Sequence, residues 1–265
     1  MHRALRRRAS PLLASPRPTP RAALPGLTIR SVQGNVLNAR KEQLLNHGVG
    51  PTTTFLHYTT TGWIVYLVQI ATLLAGAHVI VFDGSPFQPD PRAFIGVMGD
   101  LKVTHLGTSP KYLAELQLRG LAPHALADLA HLRLVTSTGM ALSPALYDWF
   151  YNEGFPAHVQ LSNITGGTDL NSALALGNML DPVYVGECQC LNLGFAAEVY
   201  ALVANQPDGR RVKGRPAPAG EPGELVVTKP FPTMPVMFWG EGGAEKYFNS
   251  YFAKYEGILL SNPSA

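Results

Sequence analysis

Four apolar runs punctuate the first two thirds of the chain, and each ends in small or polar residues. His78–Phe82 runs into Asp83-Gly84-Ser85-Pro86, Val103–Gly107 into Thr108-Ser109-Pro110, Leu132–Thr136 into Ser137-Thr138-Gly139, and His158–Leu161 into Ser162-Asn163-Ile164-Thr165-Gly166-Gly167-Thr168-Asp169. Short β-branched runs closed by turn residues predict strands buried on both faces. Helical patterns lie between them. One covers residues 91–101; another opens at Ser109-Pro110, a cap followed by proline at the first helical position, and runs to Leu118. Ser143-Pro144 repeats that device and opens a helix to about Tyr151. Strands alternating with helices predict βαβ units and a parallel sheet, hence an α/β fold. Right-handed crossovers put the carboxyl ends of those strands on one edge, where ligands of such sheets bind.

Residues 64–82 carry no charge and are long enough to span a membrane. Gly76 sits where a helix starting at Ile64 would end, and His78–Phe82 is strand-like, so helix–glycine–strand is the better reading. After about residue 180 the runs shorten. Glu198–Ala204 and Glu224–Thr228 are separated by Asp208-Gly209, Ala219-Gly220 and Pro222-Gly223, which predicts a β-rich lobe with hairpins.

Charge changes the picture at one end. The chain has 265 residues and a formal net charge of +3, but residues 1–41 hold nine Lys/Arg and no acid. The other twelve basic residues face eighteen acidic ones, so the body is mildly acidic and the charge gives no support to nucleic-acid binding. The Arg/Ser/Pro-rich arm suits a disordered extension, a mitochondrial targeting peptide or a binding arm. Pro11, Pro16, Pro18, Pro20 and Pro25 oppose the amphipathic helix that targeting requires.

The sharpest local chemistry is Ile164-Thr165-Gly166-Gly167-Thr168-Asp169. Two glycines let backbone approach an anion, Thr168 adds a hydroxyl, and Asp169 can hold Mg²⁺; the same residues also make an ordinary turn. Thr59-Thr60-Thr61-Gly62-Trp63 reads as hydroxyls beside an aromatic wall, or as a Thr-rich strand end capping the next helix. GxSxG and GxxxxGK[ST] do not occur, and Cys188-x-Cys190 has no second pair, so it reads as reduced thiols rather than a zinc site. His105, inside an apolar run, reads as a hydrogen-bonded core residue.

Several stretches together resemble the acetoacetyl-CoA synthetases, members of the adenylate-forming acyl-CoA synthetases. They are Tyr58–Trp63, Phe82–Phe87, Thr104–Pro110, Gly166–Asp169, Pro222–Leu225 and Thr228–Gly240, in order within Ser31–Gly257. The resemblance implies acetoacetate, ATP and CoA as substrates, Mg²⁺ as cofactor, and a cytoplasmic enzyme with no membrane span. It implies that Gly139, Met140 and Ala141 line the adenine pocket, and that Asn163, Ile164, Thr165, Gly166 and Gly167 lie between adenine and phosphate. Thr168 would touch the α-phosphate in the catalytic step, Asp169 would hold the metal, and Thr61, Gly62 and Trp63 would wall the acyl pocket.

Departures from the family pattern set further expectations. A lysine-ended phosphate loop is expected upstream of Ser31, where the arm stands. A His-Gly-Asp and a small C-terminal domain with an adenylation lysine are expected beyond Gly257, and Val185 stands where Arg is expected. The domain reading is therefore an arm over 1–30, an α/β part over 31–180, a β-rich lobe over 181–257 and an unrelated tail over 258–265. The corresponding activity reading is a truncated, impaired ligase, with a non-catalytic nucleotide- or partner-binding remnant as the alternative.

Overall fold

The computed structural model describes residues 28–203 and 210–260; the arm up to residue 27 lies outside them. The chain divides into two units, one holding residues 39–165 and 175–192, the other the residues up to Asn38, 166–174 and those from Leu193 onward.

The first unit is a five-stranded parallel sheet. Its strands are β1 (Thr54–His57), β2 (His78–Ile80), β3 (His105–Thr108), β4 (Leu134–Ser137) and β5 (Gln160–Asn163), in the order β2-β1-β3-β4-β5. The four runs that the pattern predicted are β2 to β5. The strand β1 lies just before Tyr58, where the pattern gave only a Thr-rich strand end. Helices join them: α1 (Ile64–Ala71), α2 (Pro91–Asp100), α3 (Pro110–Leu118) and α4 (Pro144–Trp149).

Local chemistry sets the helix boundaries. Asp90 accepts from the Arg92 amide at 2.9 Å, and Ser109 from the Tyr112 amide at 3.4 Å, each with proline next. Ser143 stands before Pro144 but makes no side-chain cap, correcting the expected repeat of that device. It is exposed, so its hydroxyl needs no backbone partner. The uncharged helix α1 passes through a 3-10 turn (Thr72–Ala75) to Gly76 at φ 81°, the left-handed stop that glycine allows. Helix, glycine and strand therefore share the 64–82 stretch, and no helix among the described residues is long and apolar enough to cross a membrane.

Alternation along the strands sorts the two faces. Leu56, Leu106, Val135 and Leu161 bury against Phe94, Ile95, Met98, Leu113, Leu116 and Phe150 from α2, α3 and the turn after α4. The opposite face carries Phe55, His57 and His105, with ring centroids 6.3 and 6.4 Å apart from Phe55. The buried His105 shares hydrogen bonds with Thr104 Oγ1 at 2.9 Å and the His47 carbonyl at 2.8 Å, as a core histidine should. On the β5 side of this face the Ser162 hydroxyl accepts from the Gly177 amide at 2.9 Å.

The second unit is built differently. Ala197–Ala201 pairs antiparallel with Gly223–Val227, which also pairs with Leu259–Leu260. Its core gathers Leu170, Leu174, Phe195, Val227, Phe231, Leu259 and two tyrosines, Tyr247 and Tyr251, of the helix Gly243–Tyr251. A helix beginning at Val32 lies so near Pro232 that a Cβ on Gly34 would fall 1.8 Å from the Pro232 carbonyl oxygen, which only glycine permits.

Candidate functional site

In the order β2-β1-β3-β4-β5 the connection that leaves β1 runs to β2 on one side, and the connection that leaves β3 runs to β4 on the other. That reversal opens a crevice at the carboxyl ends of β1 and β3. His57 closes β1 and is in register with Gly107 of β3; Ser137 closes β4 in register with Asn163 of β5.

The loops that follow are stitched together. Thr138 donates through its amide to the Thr108 carbonyl at 3.2 Å and through its hydroxyl to the Ile164 carbonyl at 3.0 Å, while the Ile164 amide donates to the Ser137 carbonyl at 2.9 Å. Gly139 turns at φ 95°, and a Cβ there would meet the Trp63 ring at 3.4 Å. Trp63, Thr61 and Gly62 therefore share this edge with the Gly139 turn. Met140 is 62% exposed, and Gly139 and Ala141 are also open to solvent. Asn163 donates to the Glu187 carbonyl at 3.5 Å, which also accepts from Tyr147 at 3.1 Å. Burial pushes Tyr147 up to about 12, so it is a neutral donor here. Burial likewise raises the thiols of Cys188 and Cys190, both unpaired, and argues against a thiolate nucleophile.

His57 itself was not singled out by sequence. Its ring is 4% exposed, and neither ring nitrogen has a hydrogen-bond partner among the described residues. Burial holds its pKa down at about 3, so it is neutral. Thr59 Oγ1 and Ser137 Oγ are also buried without partners.

Thr165–Gly167 is a short strand beside Ser172–Leu176, and Thr168–Asn171 is the turn that joins them. The Leu170 and Asn171 amides donate to the Gly167 carbonyl at 3.1 and 3.0 Å, and Asn171 takes φ 48° with its side chain donating to Asn35. A Cβ on Gly166 would lie 2.4 Å from the Ser172 carbonyl oxygen, so close backbone approach needs this glycine. Tyr251 donates its hydroxyl to Asp169. Arg30, 1% exposed, donates from Nη2 to the Thr168 carbonyl at 2.8 Å, leaving Nε and Nη1 buried without partners among the described residues. Burial lowers Arg30 to about 10, partly opposed by the Asp169 carboxylate, which favours the cation. Arg30 and Tyr251 are the neighbours that sequence reasoning missed, because each meets this turn from a distant part of the chain.

Mg²⁺ commonly takes one or two carboxylates and completes its shell with water and substrate phosphate, so the single Asp169 fits it. An ion there would share the carboxylate with Tyr251 and lie near the Arg30 cation. Among the described residues no group of three His, Cys, Asp or Glu side chains could hold a metal on its own.

Residues 27–236 match the AMP-binding enzyme family. The chain belongs to it. Within the AMP-binding enzymes it is similar to the acetoacetyl-coenzyme A synthetase of Rhizobium meliloti (strain 1021), at 37% identity over 235 residues, covering 89% of this chain and 34% of that protein. It is 35% identical over 234 residues to the acetoacetyl-CoA synthetase of Gallus gallus, covering 88% of this chain and 33% of that one. The solved structure of acetoacetyl-CoA synthetase from Streptomyces lividans superposes with a TM-score of 0.80 at 31% identity, over 90% of this chain and 36% of that one. This AMP-binding chain therefore spans about a third of the length of the relatives it matches.

Proposed function

We propose that this AMP-binding chain carries the adenylate-forming chemistry of an acetoacetate–CoA ligase. In the first step a carboxylate oxygen of acetoacetate attacks the α-phosphorus of ATP, forming the acyl–phosphate bond as pyrophosphate leaves. In the second the CoA thiol, losing its proton, attacks the acyl carbon and AMP departs. The observation that carries this reading is the end of the Thr165–Gly167 strand and the turn that follows it, where two glycines bring no side chain and a hydroxyl and a carboxylate follow at Thr168 and Asp169.

In this reading Gly139, Met140 and Ala141 present backbone and an apolar side chain to adenine, and Asn163, Ile164 and Thr165 lead from adenine to the phosphates. Thr168 donates to the α-phosphate oxygens as charge grows on them, and such fixed donors are worth most where water is thin. Asp169 would hold Mg²⁺, which would supply positive charge against the phosphates. Trp63, with Thr61 and Gly62, limits the acyl chain to a short acid. The names of the relatives support acetoacetate as that acid.

The test is pyrophosphate release with acetoacetate, ATP and Mg²⁺. The double variant Thr168→Ala, Asp169→Ala is expected to lower release by about 100-fold, the scale of losing fixed electrostatic groups. Acetoacetate-dependent release that is equal in the double variant would remove these two residues from the chemistry.

A further inference from the structure

The imidazole of His57 is unexplained by the fold. A buried polar group normally has a partner, and leaving one unmade costs about 1–3 kcal/mol. His57 is buried to 4% exposure and its two ring nitrogens have none among the described residues. The site is nonetheless shaped to receive the ring. A Cβ on Gly107, the register partner of His57, would lie 1.9 Å from His57 Nδ1, so glycine at that position makes the space that the imidazole fills. The ring lies across β3 where the sheet reverses its strand order, the place where ligands enter such sheets. Trp63 meets it edge-on, with centroids 6.3 Å apart, and the same indole faces the Gly139 turn.

We infer that His57 is a specificity-determining residue, whose ring N–H donates to the 3-oxo oxygen of a short 3-oxo acid held against Trp63. The inference rests on the acyl role proposed for Trp63. The chemistry selects a neutral oxygen. The ring is neutral and lies among Phe55 and Trp63, and among the described residues no cation acts on it to offset a carboxylate's desolvation. A ketone oxygen needs one donor and brings no charge. A methylene in the same place leaves the imidazole unpaired, so an alkyl acid of equal length is penalised relative to the 3-oxo acid.

The experiment titrates the full chain with acetoacetate and separately with butyrate, in the presence of Mg²⁺ and an ATP analogue blocked at the α–β bridge. Affinities come from calorimetry, and the ring nitrogens are followed by long-range ¹⁵N–¹H spectra, with His57 assigned by its loss in a variant. Acetoacetate is expected to bind about ten-fold or more tightly than butyrate and to move the His57 ring signals, which butyrate leaves in place. His57→Phe should bring the preference to within about two-fold without weakening butyrate, and His57→Gln, which keeps a donor, should retain part of it. A folded His57→Phe that keeps the full preference overturns the inference, as do wild-type ring signals that ignore bound acetoacetate. Equal binding of the two acids to the wild type overturns the role of His57 and leaves the acyl role of Trp63 standing. Binding of neither acid defeats that acyl role, and the inference with it.

Discussion

The two units differ in the polar groups they bury. The parallel-sheet unit hides histidines and keeps them neutral: His47, His57 and His105 are all buried, with pKa values pushed down by the loss of water. The antiparallel unit buries one cation, Arg30, and half-buries the charged groups gathered elsewhere in it. Arg30 lies beside Asp169 and Tyr251, and Glu224 takes bonds from Lys254 and Tyr255. The parallel-sheet unit holds an ion pair as well, Lys41–Glu42 at 3.9 Å, but between neighbours in the chain, whereas the antiparallel unit brings side chains from distant parts of the chain together around a few polar contacts. The difference teaches where each unit is vulnerable: the first to loss of packing and to acid, the second less so to loss of any single charge.

Packing gives the largest expected effect. Phe150 is fully buried and stacks on Phe155 with centroids 4.4 Å apart. Phe150→Ala should cost about 3–5 kcal/mol in urea unfolding followed by a probe in the parallel-sheet unit. A loss below 1 kcal/mol would mean that this core is not the tight one described.

Acid comes next and separates the units. A histidine whose folded pKa is depressed binds its proton more readily when unfolded. Stability is therefore full above the unfolded value of 6.5 and falls as pH drops toward the folded values of about 4 for His47 and about 3 for His57. At pH 5 each histidine should subtract about 2 kcal/mol from the parallel-sheet unit. Unfolding between pH 7 and 5, read separately on Trp149 in that unit and Trp239 in the other, should show the loss at Trp149. An equal slope at both indoles would erase the contrast.

The smallest effect sharpens the comparison most. Among the described residues Arg30 leaves two guanidinium nitrogens unsatisfied, so the cost of burying it offsets most of what its bond to Thr168 contributes. Arg30→Met should change stability by less than about 1 kcal/mol despite removing a buried cation. A loss of 3 kcal/mol or more in thermal unfolding would show a charge pair that holds the antiparallel unit together.

How far each region could be read from sequence follows the same divide. The strands β2 to β5 were legible because each is an apolar run closed by small or polar residues, α2 because of its helical pattern, and α3 because an N-cap and a proline mark its start. The strand β1 was missed because Phe55-Leu56 is too short a run to stand out between threonines. In the candidate site, the turn was legible from composition only from Thr168 onward, since Gly166 and Gly167 end a short strand. Its neighbours were not, since Arg30 meets Thr168 across 138 positions of chain and Tyr251 meets Asp169 across 82. His57 was hidden for another reason: a lone histidine at a strand end looks ordinary until the glycine beneath it and its missing partners are seen together.

The interleaving of the two units in the chain also fixes an order in time. Synthesis delivers every residue of the parallel-sheet unit by Asn192, while the other unit waits for the strand at Leu259–Leu260. Units fold as they are completed. On the ribosome the parallel sheet can therefore close while the Val32 helix and the Thr168–Asn171 turn still lack the tyrosines of Gly243–Tyr251. The Asp169 carboxylate meets Tyr251 only late, so this turn is among the last parts of the nascent chain to gain its final neighbours.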